Sequence, residues 1–387
     1  MTSRMPRAPM TVRAQVDVDL DAVRDCVGVL RSRVGSAAVM AVVKADAYGH
    51  GAVPCARAAL DGGATWLGVA YVDEARQLRA AGIDAPVLVL VEPTDDDVVA
   101  AAALGVDIGV GSAQSLAAAV AARPHADGPV GVHLKVDTGL SRGGALPGDW
   151  SQLCAQASRA EADGAIRVVG VWSHLACADQ PRHASVAAQL ASFREAVSIA
   201  EGLGLTPDLR HLANSAGTLG VPQSHFDLVR PGISVYGLSP GHEVGTSASL
   251  GLRPAMRLRA RIALTKDVPA GTGVSYGHRH VTSSDTRLAL VPVGYADGIP
   301  RCAAGRAEVL VGGRRRTIAG TVCMDQLVVE VGHDEVSTGD EAIVFGPGDD
   351  GEPTADEWAR SVGTIGYEVV TRVGARVPRV HVGGGAA

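Results

Sequence analysis

Lysine is nearly absent from this chain: Lys44, Lys135 and Lys266 are the three among 35 basic residues, arginine supplying the rest. A codon bias toward arginine, alanine and glycine accounts for the scarcity, but each surviving lysine still invites a reason. A basic stripe is also missing. The net charge of −6 is spread along the chain, without the electrostatic footprint that nucleic-acid binding requires. The six cysteines (Cys26, Cys55, Cys154, Cys177, Cys302, Cys323) fall at irregular spacings with no CxxC pair. That pattern argues against a zinc knuckle and a disulfide scaffold, and reduced thiols are expected. No run approaches the roughly 20 uninterrupted apolar residues of a membrane span, and Met1–Met10 has no apolar signal-peptide core. A cytoplasmic location is the expectation. His133, His183 and His225 lack HExxH or other ligand spacing, so they read as satisfied surface or core histidines and no metal is expected.

What is present is a long alternation of β-type and helical runs. A chain of 387 residues exceeds what one core usually serves, which suggests a large domain and a smaller one. Eight strand-like runs read 37–43, 65–70, 86–91, 107–111, 130–137, 167–174, 208–212 and 227–230, with Ala-rich helical stretches between most of them. Eight βα units in this length suggest an α/β fold of the (β/α)8 TIM-barrel type. A doubly wound sheet is the alternative, and it usually shows a GxGxxG turn after its first strand; none occurs there.

Beyond about residue 250 the texture becomes closely spaced β runs: 256–264, 286–293, 307–311, 317–321, 326–331 and 341–345. The expected organisation is a barrel over residues 12–248 and a mostly β C-terminal domain over 249–387. The surplus early run 13–19 is free to pair into the latter, so residues 1–18 are expected to join the β domain.

The first barrel run ends AVVKADAYGHG, which places Lys44 where an apolar strand meets the catalytic face of a barrel. A lysine there can condense with a carbonyl cofactor when desolvation keeps part of its amine neutral. On position alone, a strand-end lysine reaching for water reads equally well. The loops after runs seven and eight shift the balance, because barrels commonly bind phosphate there. They read HLANSAG (211–217) and VRPGIS (229–234). The Ser215 hydroxyl and the backbone N–H groups of Gly232 and Ile233 can hold a phosphate monoester, glycine letting the chain come close. A nucleophilic lysine with a phosphate cradle points to pyridoxal 5′-phosphate.

These stretches, with HLKVDTGLSRGG (133–144), SHLACAD (173–179), VSYGH (274–278), VGYADGIPR (293–301), GTVCMDQ (320–326), IGYEVVTR (365–372) and RVPR (376–379), resemble the alanine racemase family in chain order and over nearly the whole length. The resemblance implies a head-to-tail homodimer in which one subunit's β domain completes the other's site, acting on the small substrate alanine. It implies that Lys44 carries the cofactor and serves as one acid/base, and that Tyr276 from the partner subunit is the opposite base. It further implies a polar chain through His174 and Arg230, with Arg230 facing the pyridine nitrogen. Tyr48, Ser215, Gly232, Ile233 and Tyr367 would hold the phosphate, with Asn214 among the cofactor-binding residues. Arg142 and the Met324 N–H would hold the substrate carboxylate. Lys135 matches a lysine that some members carry carbamylated, an ordinary ion pair with Asp137 or another acid being the alternative. Asp179, Tyr295 and Arg301 match a narrow substrate entrance.

Tyr236 carries no implied role and reads as packing. Two departures stand out: the motif leading to Arg142 reads GLSR where many relatives have methionine and asparagine, and RVPR is followed by Val380-His381 where tyrosine is frequent. Broader amino-acid racemisation, including serine, would share every motif. A fold-related decarboxylase would need an acid in place of Arg230, and a one-domain cofactor-binding barrel would lack residues 250–387.

Overall fold

A computed structural model describes residues 4–384; residues 1–3 and 385–387, the ends of the expected β-domain segments, lie outside the described residues. The chain opens with strand β1 (Ala14–Asp19) and turns into helix Leu20–Arg33, whose first turn is capped by the Asp19 carboxylate accepting from the Ala22 N–H at 3.1 Å. Eight short strands follow: β2 (Ala38–Val42), β3 (Trp66–Val69), β4 (Val87–Val89), β5 (Asp107–Val110), β6 (Val130–Lys135), β7 (Ile166–Trp172), β8 (Leu209–His211) and β9 (Leu228–Val229). All pair in parallel, in the order β8-β7-β6-β5-β4-β3-β2-β9. β2, β3, β4 and β9 read as continuous apolar runs because helices cover the outside and side chains fill the inside, while β5, β6, β7 and β8 each carry a polar residue. The sheet returns on itself where the Asp227 N–H donates to the Arg210 carbonyl at 3.0 Å and the Arg230 N–H to the Ala213 carbonyl at 2.9 Å. The Arg210–Asp227 ion pair at 2.6 Å spans the same seam. The expected (β/α)8 barrel is therefore present.

The second layer is mostly β, also as expected. A six-stranded sheet runs Arg314–Thr317, Glu308–Val311, Glu341–Phe345, Met256–Arg261, β1, Arg379–Val382, so β1 sits between strands from the far end of the chain. A three-stranded sheet (Leu264–Val268, Thr286–Val291, Leu327–Gly332) and a small hairpin (Gly273–Val274 with His280–Val281) complete it.

One expected strand is displaced. The run read at 317–321 is instead Arg314–Thr317, joined to Glu308–Val311 by Gly312 and Gly313, both at positive φ (59° and 72°). Two left-handed glycines make the tight turn whose twist suits a hairpin, and the three arginines after it masked the strand. Gly320, three residues beyond the strand, sits at φ 71°, and a Cβ there would lie 2.5 Å from the Val274 carbonyl oxygen. A continuous buried cluster spans both layers, and no helix among the described residues is long and apolar enough to cross a membrane.

Candidate active site

The polar residues singled out in the sequence collect where the barrel strands end. Lys44 leaves β2, Lys135 ends β6, His174 follows β7, Asn214 and Ser215 follow β8, and Arg230 follows β9. Directly after Lys44 the chain makes an unusual turn: Ala45, Asp46, Ala47 and Tyr48 all sit at φ 53–55°. For residues with a Cβ this left-handed conformation costs about 1–2 kcal/mol each, so the surroundings must hold it. Glu74 accepts the Ala45 N–H at 2.6 Å, Asp46 accepts the Ala52 N–H at 2.7 Å, and from the C-terminal strand Arg379 donates to the Gly49 carbonyl at 2.9 Å. His381, the departure noted in the sequence, donates to the His50 carbonyl at 2.8 Å.

His50 is part of the same clamp. Its Nδ1–H lies 2.9 Å from the Ala47 carbonyl, its ring stacks on Tyr236 at 4.5 Å, and its Nε2 is buried without a partner. Burial pushes its pKa down to about 4, against about 6.5 for an unfolded histidine. The unfolded chain therefore takes up a proton that the folded chain refuses, so the stability contribution is full above about pH 6.5 and falls as pH drops toward 4. From about pH 7 to pH 5 this amounts to about 2 kcal/mol from His50 alone. Urea unfolding of the wild type should show that decline, and a His50→Phe variant should show a decline smaller by about that amount. Equal slopes would contradict the assignment.

Around the turn, Tyr48 packs against Tyr236 and Tyr367, with ring centroids 5.2 and 6.3 Å apart. The Tyr48 hydroxyl lies against Gly232, where a Cβ would approach it to 2.2 Å. The Ser215 hydroxyl accepts from the Gly232 N–H at 2.8 Å, and the Asn214 side chain accepts from the Gly217 N–H at 2.9 Å. Two hydroxyls and the backbone of Gly232 thus share one small space.

Beside it stands a group of cations. Arg230 is 4% exposed and lies over the Trp172 ring at 4.8 Å. It donates to the Ser173 carbonyl at 2.7 Å and approaches His211 Nδ1 at 3.1 Å and His174 Nδ1 at 3.3 Å. Burial lowers its pKa to about 9, which leaves it charged at neutral pH. Lys135 sits over the same indole at 4.6 Å, and burial plus the charges of Arg142 and Arg230 bring its amine down to about 8. Lys44 is lowered as well, chiefly by burial and then by Arg142, with Glu74 opposing. His174 is held well below its ordinary value by burial and by Arg230, Arg142, Lys135 and Lys44. Asp137 does not neutralise this group through an ion pair to Lys135; its carboxylate accepts the N–H groups of Gly139, Leu140 and Ser141 and shapes the loop that carries the exposed Arg142.

Tyr276, Tyr295 and Met324 lie together on the β domain. Thr321 donates to the Tyr276 carbonyl at 2.8 Å, the Tyr295 N–H to the Cys323 carbonyl at 3.0 Å, and the Ala296 N–H to the Met324 carbonyl at 2.9 Å. Tyr276 is 73% exposed, and among the described hydrogen bonds none joins Tyr276, Tyr295, Arg301 or Met324 to the barrel mouth of the same chain. Asp179 is exposed near Gly241.

Several participants had escaped the sequence reading. Glu74, Trp172, Ser173, His133 and Asp107 carried no role there. His211 stood inside a quoted motif without one, and Tyr236, read as packing, also donates to the Val42 carbonyl at 2.9 Å. His211, His133 and Ser173 each open a motif quoted from the sequence (HLANSAG, HLKVDTGLSRGG and SHLACAD), and that place was the signal that could have found them.

The fold and this strand-end cluster define a (β/α)8-barrel enzyme with an attached β domain. Residues 18–240 match the family described as Alanine racemase, N-terminal domain, and residues 255–381 the Alanine racemase, C-terminal domain. The alanine racemase of Frankia casuarinae is 59% identical over 96% of this chain and 97% of its own length. The crystal structure of alanine racemase from D-cycloserine producing Streptomyces lavendulae is 52% identical with a TM-score of 0.95, covering 97% of this chain and 98% of that one. The alanine racemase of Clostridium difficile 630 retains a TM-score of 0.90 at 30% identity, each chain covered to 97%. The chain belongs to the alanine racemase family, isomerases that depend on pyridoxal phosphate.

Proposed function

We propose that this chain interconverts L- and D-alanine with pyridoxal phosphate held on Lys44, works as a cytoplasmic homodimer with shared sites, and supplies D-alanine for peptidoglycan. The observation that carries this reading is the convergence of Lys44, Lys135, Arg142 and Arg230 beside the Tyr48–Gly232 cradle. Burial first, and then repulsion from the neighbouring arginines, depresses the lysine amines, and an anionic ligand would relieve the repulsion. The donor set fits a phosphate ester and a carboxylate: hydroxyls of Tyr48, Ser215 and Tyr367 with the backbone at Gly232 and Ile233 for the first, Arg142 and the partner's Met324 N–H for the second. Asn214 would keep its N-cap bond and so hold Ser215 in place.

When bound, the pyridoxal ring supplies an electron sink that makes the substrate α proton acidic. The remaining work falls to the protein. Lys44 removes or returns that proton on one face, and Tyr276 of the second subunit does so on the other. A tyrosine needs cationic or hydrogen-bonding neighbours to act as a base at neutral pH, a role we give to His174 and Arg230. Arg230 is a donor only and would leave the ring nitrogen without a proton, which disfavours side reactions and speaks against a decarboxylase. The exposure of Tyr276 and Met324 supports a second copy covering them. We assign Asp179, Tyr295 and Arg301 to the substrate entrance.

The direct test is an absorbance spectrum of the purified protein, then addition of L-alanine and chiral analysis. Visible absorbance and conversion to a D/L mixture, faster for alanine than for serine, are expected; a colourless protein that leaves L-alanine unchanged would refute the assignment.

Lys135 adds a further prediction. An amine with a pKa of about 8 is neutral more often than an ordinary lysine, and so better able to attack carbon dioxide. The N–C bond forms, a proton leaves, and the resulting carbamate places a negative charge near Arg142. Isotope-labelled bicarbonate should give a carbamate carbon signal in the wild type that is absent from Lys135→Met. That variant should bind alanine about tenfold more weakly, the scale of one lost charge-assisted contact.

A further inference from the structure

Beneath the site, the barrel interior holds a line of polar groups that the reaction as derived does not use. His211, at the end of β8, and His133, in β6, are both fully buried, with His211 Nε2 and His133 Nδ1 2.8 Å apart. At the upper end, His211 Nδ1 meets Arg230 at 3.1 Å. At the lower end, His133 Nε2 meets the Asp107 carboxylate at 3.2 Å. Asp107 is the first residue of β5, so it lies at the barrel mouth opposite the strand-end cluster, in a cleft shared with Arg79, Asp84, Arg167 and Asp208. Its side chain keeps some contact with solvent.

The space for this line is cleared by glycine in neighbouring strands. A Cβ at Gly170 would lie 2.5 Å from His133 Nδ1, and one at Gly131 would lie 2.0 Å from an Asp107 carboxylate oxygen. The rings are held by Trp172, stacked on His211 at 5.6 Å, and by Trp66, edge-on to His133 at 5.5 Å.

The donors and acceptors leave one arrangement of protons. A guanidinium only donates, so His211 must offer a lone pair at Nδ1. Full burial beside that cation keeps His211 neutral, which places its proton on Nε2. That proton points at His133 Nδ1, which must then be a lone pair, so the His133 proton sits on Nε2 and is donated to the Asp107 carboxylate. Without an acceptor at Asp107, His133 is free to carry its proton on Nδ1. It would then face the Nε2–H of His211, and relief by tautomer exchange would turn an N–H of His211 against Arg230.

We propose that Asp107, His133 and His211 form a proton-ordered chain through the barrel that fixes the lone pair presented to Arg230. Asp107, at the far mouth, is thereby a positioning residue for the reaction. The chain couples a carboxylate in solvent contact to a guanidinium that has no acid hydrogen-bonded to it among the described residues. Its kinetic consequence rests on the racemase reading above; its proton order does not.

The test is a nitrogen NMR spectrum of isotope-labelled histidine in the purified enzyme with its cofactor, signals being assigned with His133→Gln and His211→Gln. In the wild type both rings should show the Nε2–H tautomer, with the Nδ1 lone pair free on each. Asp107→Asn keeps an oxygen acceptor, and should keep both tautomers and most of the turnover. Asp107→Leu should shift both rings toward mixed tautomers and lower kcat about tenfold while KM for alanine stays within about twofold. A structural role alone would lower the melting temperature and leave the tautomers unchanged. A wild-type spectrum with Nδ1 protonated on either ring would overturn the proposal, and needs no variant to fold. So would an Asp107→Leu enzyme with unaltered tautomers and kcat. A wild type without racemase activity would defeat the proposed function, yet leave the spectral result to decide the chain.

Discussion

Lys44→Ala should yield a colourless protein that loses pyridoxal phosphate on gel filtration and racemises alanine about four orders of magnitude more slowly than the wild type, the upper range for removal of one acid/base group. Two losses coincide in this variant. The amine that carries the cofactor disappears, and so does the group that handles the α proton on one face. The environment explains why this lysine is suited to both. Burial and Arg142 favour its neutral form, while Glu74 limits the shift and pins the turn through the Ala45 N–H. A spectrophotometric titration with added cofactor and a coupled D-alanine assay measure the two losses separately. A Lys44→Ala enzyme that retained colour and turnover would remove the basis of the mechanism.

Tyr276→Phe should retain colour and cofactor affinity yet racemise about 10²–10⁴-fold more slowly, as expected when one of two bases is removed. The informative measurement is hydrogen exchange in deuterated water. With Lys44 intact, one enantiomer of alanine should still exchange its α proton for solvent deuterium without inverting, whereas the other should not exchange. Mixing the two inactive variants probes where Tyr276 acts. If it serves the second subunit's site, a mixed dimer carries both lesions in one site and none in the other. Random re-pairing would then restore about a quarter of wild-type activity. No recovery after demonstrated subunit exchange would place both groups in the same chain's site, or separate Tyr276 from the chemistry.

The barrel was readable because most of its strands are short, largely apolar runs, and such runs stand out between Ala-rich helices; β8, Leu-Arg-His, is the exception. The surplus run before the first helix alternates apolar with polar residues, the period of a strand, and the structure places it beside Met256–Arg261 with Ala14 opposite Ala260. The hairpin at Gly312–Gly313 was legible in principle, since paired glycines between β runs signal a tight turn, but three successive arginines looked like surface loop. The candidate site was legible as motifs at strand ends. What those residues touch was not. Nothing in Ala45-Asp46-Ala47-Tyr48 announces a left-handed turn, because none of these residue types requires one and only distant partners such as Glu74, Arg379 and His381 hold it. His133 and Asp107 drew no functional reading for a similar reason: they lie 78 and 26 residues from their hydrogen-bond partners His211 and His133.

By itself the sequence determined the chemistry available: a scarce lysine at the end of an apolar strand, hydroxyl and glycine loops at two later strand ends, and arginine where an acid would imply another reaction. The first two follow from residue type and place along the chain, which are local properties; the meaning of the arginine is what the resemblance to the alanine racemase family implies. Tertiary structure decided which of those groups are charged and which way their protons point. Burial, neighbouring cations and donor geometry set those states, and they arise only when strands far apart in the chain are brought within about 3 Å of one another inside the barrel.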